Sequence, residues 1–509
     1  MNERTLRLAI GVAVVTSVVR GWGCTPPGPP PQITQGVATG DVTDRSAIVW
    51  ARADGPAELV VAFDEGDELR AENSAASDFT AQVTLEGLSP GREYAYRARF
   101  ERSGRRSPEV EGRFRTAPAR QDGVDAVRFI VGGDLGGHGY CRETEGGYRI
   151  FDTMGALSPD FFIANGDMIY ADELCPAEGP EGRRNVPGDF PRVSAAEIDW
   201  TDRAGLQEIF WKHWRYHRGD PTFQSFLARV PMYAQWDDHE VVNDFGASWP
   251  SWPFAPERQG FPNLAEAGRD AVLHYNPIAR NSDEPGRIFR SFRWGRDLEL
   301  FLLDGRSYRD RNDLADSEAS PKTLLGEEQL EWLATGLLAS DATWKVVSSD
   351  VPLSVPTGTR PETFGRDGWA NGTADDFSAT TGFEQELLGL FRRLDAADLE
   401  NLVFVVTDVH CALSIRYDLD ADGDGDRLVF HEFVSGPMVA GKLPEPPGLD
   451  PTLEPTLLYA EANLFNFGYY RLERRPDGTL HFLADIRDGA GEVRSGSSVE
   501  LPTRPPQPR

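Results

Sequence analysis

Residues 160–170 read DFFIANGDMIY. Phe161 to Ala164 form an unbroken apolar run, Gly166-Asp167 stops it, and Tyr170 follows the aspartate by one short turn. A short apolar run bounded by Gly and Asp suits a strand covered on both faces, as in the parallel sheet of an α/β protein. Ligands of such sheets sit beyond the carboxyl ends of the strands, where Asp167 and Tyr170 would project. A carboxylate and a phenol so spaced can reach one hard trivalent cation. A strand-end aspartate also reads as an Asx-turn residue.

Repetition favours the metal. VRFIVGGD ends in Asp134, YAQWDD in Asp237 and Asp238, LELFLLD in Asp304, WKVVSSD in Asp350 and LVFVVTD in Asp408. If these strands lie side by side in one sheet, their carboxylates converge on one edge. Like charges so gathered raise one another's pKa and call for a counter-charge. Cations supply it, and Tyr170 and His410 add other ligand types.

The chain has 509 residues, enough for two or three domains, and a formal charge of −29. Its basic residues are almost all arginine. Such a surface repels a phosphate backbone, so no stable nucleic-acid binding is expected. An anionic substrate would need local positive charge from bound cations or chosen arginines. After the N-terminus no apolar run reaches the length of a membrane-spanning helix.

Residues 1–24 read as an export signal: Arg4 and Arg7, then the apolar stretch Leu8 to Val19, then Cys24. Cys24 followed by TPPGPPPQ resembles a bacterial lipoprotein, a lipidated cysteine on a Pro-rich tether of residues 25–31. The other reading of Cys24 is an ordinary residue of a cleaved leader. The expected location is periplasmic, extracellular or outer-surface, with membrane attachment only through that lipid. An exported chain permits disulfides. Cys141 and Cys175 sit a few residues after Asp134 and Tyr170, on loops at the same sheet edge, and are the expected pair, while Cys411 reads as a buried thiol.

Residues 32–118 show short alternating strands spaced by turns, the pattern of a small β-sandwich. The phrase VTLEGLSPGREYAYRARF resembles a fibronectin type III strand pair. The domain reads as a spacer or cleft wall, or else as a carbohydrate- or partner-binding module. A linker near residues 121–125 then leads to a βαβ unit with a helix over about residues 146–157. Neither a P-loop, a GxGxxG opening that helix, nor a GxSxG elbow occurs.

DLG at 134–136, GDMIY at 166–170 and TDVH at 407–410 look like the DxG, GDxxY and GHxH blocks of calcineurin-like and purple acid phosphatases. WDDHEVVND at 236–244, LLDGRSYRD at 302–310 and the EWL…TWKVV stretch are more specific. Together they resemble the PhoD-like alkaline phosphatase and phosphodiesterase family over nearly the whole mature chain. The resemblance implies an α/β fold: metallophosphatase-type central β-sheets flanked by helices (residues 126–500), preceded by the fibronectin-III-like sandwich. Residues 501–509 would be a disordered tail.

It further implies a secreted or surface-anchored phosphoester hydrolase, acting as phosphomonoesterase or phosphodiesterase on small-molecule, lipid or nucleotide esters, and a monomer. The implied centre holds Fe(III) and Ca(II), with Mn, Mg or Zn as alternatives at the second site. Asp134, Tyr170 and His410 would hold iron, Asp167 would bridge, and Asp237, Asp238, Asn243 and Asp408 would serve calcium, a cation that favours oxygen ligands. A metal-bound hydroxide would attack phosphorus in line. Arg306 would clamp a phosphate oxygen, or else pair with Asp304. His239 would protonate the leaving alkoxide, or else be structural, with Glu240 orienting it. The alternative function is a non-catalytic surface binding protein on the same scaffold.

Two further motifs stand apart. His213 and His217 share a helix face, which reads as core packing. DLDADGDGD at 418–426 matches half an EF-hand loop, but Val429 takes the place of the closing glutamate, so a solvated hairpin tip is expected.

Overall fold

A computed structural model describes residues 28–63, 67–369 and 382–504. The leader, Cys24 and the first part of the tether lie outside the described residues, as does 505–509.

Two sheets pack face to face at the centre. The first has nine strands, among them Ala126–Gly132, Phe161–Asn165 and Met232–Gln235, mutually parallel and adjacent in that order. The second has seven, with Leu298–Leu302, Trp344–Ser349 and Leu402–Val406 parallel in its middle. The expected single sheet is therefore two, each carrying half of the acid-terminated strands. The apolar runs account for this: strands buried on both faces need a cover on each side, and here one side of each sheet is covered by the other sheet. Phe129, Phe161, Tyr233, Trp294, Tyr470 and Phe482 fill the interface. Phe129 and Phe161 stack with ring centres 5.0 Å apart. Each such ring contributes about 1.5–3 kcal/mol by burial. Helices cover the outer faces, Arg203–Arg218 and Phe261–Tyr275 on one side, Gly326–Ala339 and Glu384–Asp395 on the other.

The N-terminal sandwich is not hung from a linker. One of its sheets is Glu58–Phe63, Asp67–Glu72, Glu93–Arg102, Arg105–Arg106 and Val110–Arg115. The other (Ile33–Gly40, Ala47–Ala53, Thr80–Leu85) continues the nine-stranded sheet, because Ile33–Gly40 runs parallel to Met232–Gln235 at Gly40↔Met232. Gly40 leaves room for this approach: a Cβ there would stand 2.7 Å from the Met232 carbonyl. Buried ion pairs fix the junction. Asp41 accepts both arms of Arg290 at 2.7–3.1 Å, and Asp78, held by the Arg52 fork at 2.8 and 2.9 Å, reaches across to the Tyr275 hydroxyl and to Arg215 at 3.3 Å.

The βαβ helix is shorter than expected, Ile150–Ala156, since Gly146 and Gly147 both adopt positive φ ahead of it. The tail also departs from expectation. Leu501 and Pro502 belong to the edge strand Val499–Pro502, where a proline costs no ladder hydrogen bond. Thr503 and Arg504 are still pinned, through Leu480 and Asn401. His213 and His217 are buried in the helix core, where His213 Nε2 meets the Pro191 carbonyl at 3.1 Å and His217 Nδ1 meets the Tyr148 hydroxyl at 2.8 Å. DLDADGDGD forms the turn between Ala412–Leu419 and Leu428–Val434.

Candidate metal centre

The six parallel strands end at one edge, and the backbone there is bent into conformations that side chains normally avoid. Asp134, Asp167, Asp244, Asp408 and His410 all have φ between +51° and +73°. Left-handed non-glycine residues are uncommon and cluster where function holds them. Gly166, at φ +90°, makes the room: a Cβ on it would lie 2.5 Å from that of Asp237.

Asp134, Asp167 and His410 bring one ligand atom each within 4.8 Å of one another. The Tyr170 hydroxyl lies 2.9 Å from His410 Nε2. His410 Nδ1 faces the Gly441 carbonyl and donates to it, which leaves Nε2 its lone pair for a cation. A second group, Asp237, Asp238 and Asp408, meets the same criterion, and Asp238 also joins Asp167 and His239. The structure thus gathers Asp134, Asp167, Tyr170, His410, Asp237, Asp238 and Asp408.

Their oxygens fit a cation. Both carboxylate oxygens of Asp134, and one each of Asp237, Asp238 and Asp408, are buried without a hydrogen-bond partner. Burial pushes Asp134 up to about 8, and Asp167, Asp237 and Asp408 well above the carboxylate range. Burial, reinforced by Asp167 and Asp134, likewise raises the Tyr170 phenol. Metal-free, the edge would hold protons; a cation would replace them.

That gives a pH prediction. Asp134 at about 8, Asp244 at about 8 and Asp350 at about 6 all stand above the ordinary aspartate value. The folded metal-free chain therefore binds more protons than the unfolded chain between these limits, and its stability falls as pH rises. In chelator, the melting temperature is expected to decline steadily from pH 5.5 to 8.5, and the metal-loaded protein to show a shallower slope. Equal slopes in the two forms would remove this account.

Three expected roles are corrected. Arg306 is fully buried and faces inward, with neither an open side for phosphate nor a side-chain pair with Asp304. Its Nε donates to Asp237 at 2.6 Å, and its other nitrogens reach Asp367 at 2.9 and 2.7 Å and the Phe245 carbonyl at 3.2 Å. Glu240 does not orient His239. Its carboxylate caps the backbone N–H groups of Asp167, Met168 and Asp237 at 2.7–2.9 Å, holding the two acid-bearing turns together. The Asn243 side chain donates to Thr359 Oγ1 at 3.3 Å, and its carbonyl accepts from Trp252 Nε1 at 2.9 Å. The neighbouring Asp244 instead meets Asp238 and Asp367.

Asp172 does what was expected of Glu240. Its carboxylate holds His239 Nδ1 at 2.7 Å and the Asn243 N–H at 3.0 Å. Burial works against charge on His239, but Asp172, Asp238 and Asp167 outweigh it and raise the imidazole well above its usual value. Asp172, two residues past Tyr170, was within reach of the motif; Asp244 and Asp367 gave no local signal. Asp304 is structural, accepting from Trp236 Nε1 and Ser307.

Cys141 and Cys175 are joined in a disulfide beside this edge. Cys411 is buried and free, its thiol pushed by burial up to about 12. At the distant hairpin turn Asp420 and Asp422 meet Asp395, whose carboxylate accepts the Ala421 and Asp422 amides.

Stacked sheets whose acidic strand ends converge with a tyrosine and a histidine make a metallophosphatase-type fold. Comparison then places it more closely. The sequence model of the PhoD-like phosphatase family matches residues 133–480, and that of the PhoD-like phosphatase N-terminal domain matches residues 22–118. The chain belongs to the PhoD-like phosphatase family and is a phosphoric ester hydrolase. It is 26% identical to alkaline phosphatase D of Bacillus subtilis (strain 168) over 444 residues, 80% of this chain and 69% of that one. The solved structure of PhoD superposes with a TM-score of 0.69 at 20% identity, over 93% of each chain. A purple acid phosphatase from yellow lupin (Lupinus luteus) seeds gives 0.58 at 13% identity, over 93% of this chain and 74% of that one. Among the described residues no helix is long and apolar enough to cross a membrane.

Proposed function

We propose that this chain is an exported phosphomonoesterase or phosphodiesterase acting on small-molecule, lipid or nucleotide esters through an Fe(III)–Ca(II) centre. The observation that carries it is the set of buried, unpartnered carboxylate oxygens lying beside the Tyr170–His410 contact. Asp134, Tyr170 and His410 would hold iron, Asp167 would bridge, and Asp237, Asp238 and Asp408 would hold calcium, with Mn, Mg or Zn as alternatives there. Bound cations would activate water and neutralise charge developing on the phosphoryl oxygens during in-line displacement.

The protein's own groups do the remainder. Asp172 engages His239 Nδ1, so Nε2 is the nitrogen left to give a proton to the departing alkoxide. Arg306 and Glu240 set the acid-bearing loops. The leader and Pro-rich tether support export, with a lipid on Cys24 as the membrane attachment, and the chain is read as a monomer.

Metal analysis with a visible spectrum tests the centre. The expected result is about one iron per chain, accompanying calcium, and a broad tyrosinate band that is absent in Tyr170→Phe. An iron-free protein that hydrolyses phosphoesters normally would replace the iron assignment with another metal. Rates on p-nitrophenyl phosphate and bis(p-nitrophenyl) phosphate then decide between monoester and diester.

A further inference from the structure

The floor of the centre is carboxylate, and its buried arginines are turned away from solvent. Arg306 reaches Asp237 and Asp367, and Arg309 reaches Asn312 and the Asp367 carbonyl. An anionic ester approaching from outside therefore needs a donor at the mouth. His138 stands there. Its ring centre is 5.3 Å from that of His410, 5.7 Å from Tyr170 and 6.4 Å from His239, edge-on to all three. Its nitrogens belong to none of the ligand groups found among the described residues. Its side chain is 49% exposed, against 14% for His410.

The loop is built to present this ring. His138 has φ +57°, between Gly136 at +90° and Gly139 at +78°. Its backbone N–H donates to the Glu173 carboxylate, whose other oxygen lies 3.7 Å from the ring Nε2. The Cys141–Cys175 disulfide ties the two segments together just beyond. Opposite, Gly441 leaves space: a Cβ on it would stand 2.8 Å from the imidazole. A strained, anchored residue that leaves half of its side chain exposed at the mouth is held there for contact with something else.

We propose that His138 is a substrate-contacting residue, its imidazole N–H donating a hydrogen bond to a non-bridging oxygen of the phosphoryl group seated on the acidic centre. This rests on that centre being where the phosphoester binds. Such a contact acts on product phosphate as on substrate, so both should respond alike.

The experiment uses the metal-loaded full chain, with kinetics on p-nitrophenyl phosphate and bis(p-nitrophenyl) phosphate and calorimetry with inorganic phosphate. In His138→Ala, KM and the phosphate Kd are each expected to rise about tenfold, with metal content unchanged. His138→Asn, which keeps a donor, should recover part of both. A phosphate Kd and KM within about twofold of the parent would overturn the contact, as would weakened binding that tracks loss of metal. If the parent binds phosphate yet hydrolyses no ester, the proposed function fails, and the phosphate affinities still judge His138.

Discussion

Arg306→Leu is expected to cost about 3–5 kcal/mol, the usual consequence of removing one partner from a buried ion pair. The guanidinium has no exposed surface and lies between Asp237 and Asp367. Burial alone would raise Asp367, but Arg306 and Arg309 instead hold it down to about 2. Because that pKa lies below the ordinary aspartate value, its contribution is present above about pH 4 and is lost as pH falls toward 2. Leucine removes much of it and leaves Asp367 buried without its main counter-charge. Arg306→Lys should be intermediate, since a point charge cannot serve both carboxylates as the planar fork does. Urea denaturation at pH 7 measures the loss. A change under about 1 kcal/mol for leucine would mean that water or relaxation satisfies the acids, and that the arginine is not a structural tie.

Asp167→Asn is expected to reduce hydrolysis by about a thousandfold or more, on the scale of losing a central electrostatic group. Among the described residues, Asp167 belongs both to the group with Asp134 and His410 and to the group with Asp238 and His239. Removing its charge weakens the Asp134–His410 position directly and the second position through the neighbouring Asp238, which also belongs to the group with Asp237 and Asp408. The same substitution should stabilise the metal-free chain at pH 8, because a carboxylate raised well above its usual range by burial and by Asp238 no longer has to ionise there. Loss of activity with unchanged metal content, or lower metal-free stability, would contradict the bridging position.

Much of this centre is legible in the sequence because strand ends are. Asp134, Asp167, Asp237 and Asp408 each close an apolar run, and Tyr170 and His410 follow within a turn. What local pattern cannot report is which donors are already spent. Arg306 sits in a motif beside the chemistry, yet Asp367, from a loop 61 residues further on, fills its fork. Glu240 adjoins His239 in sequence but points to backbone, while Asp172, 67 residues upstream, holds the ring. The division into two sheets was hidden for a similar reason. Strands buried on both faces look alike whether helices or another sheet cover them. His138 carries no periodic signal, since its position depends on glycine conformations and a disulfide.

The continuity of the sandwich with the nine-stranded sheet has a mechanical consequence. Strand Ile33–Gly40 lies between Ala47–Ala53 and Met232–Gln235, and the latter leads directly to Asp237. A pull on the chain ahead of residue 33, such as a tether would transmit, runs along this strand. Its ladder with Ala47–Ala53 then bears the load in shear, many hydrogen bonds at once rather than one after another. Tension beyond that limit would reach the Gly40–Met232 contact, and with it the strand that ends at the acidic edge.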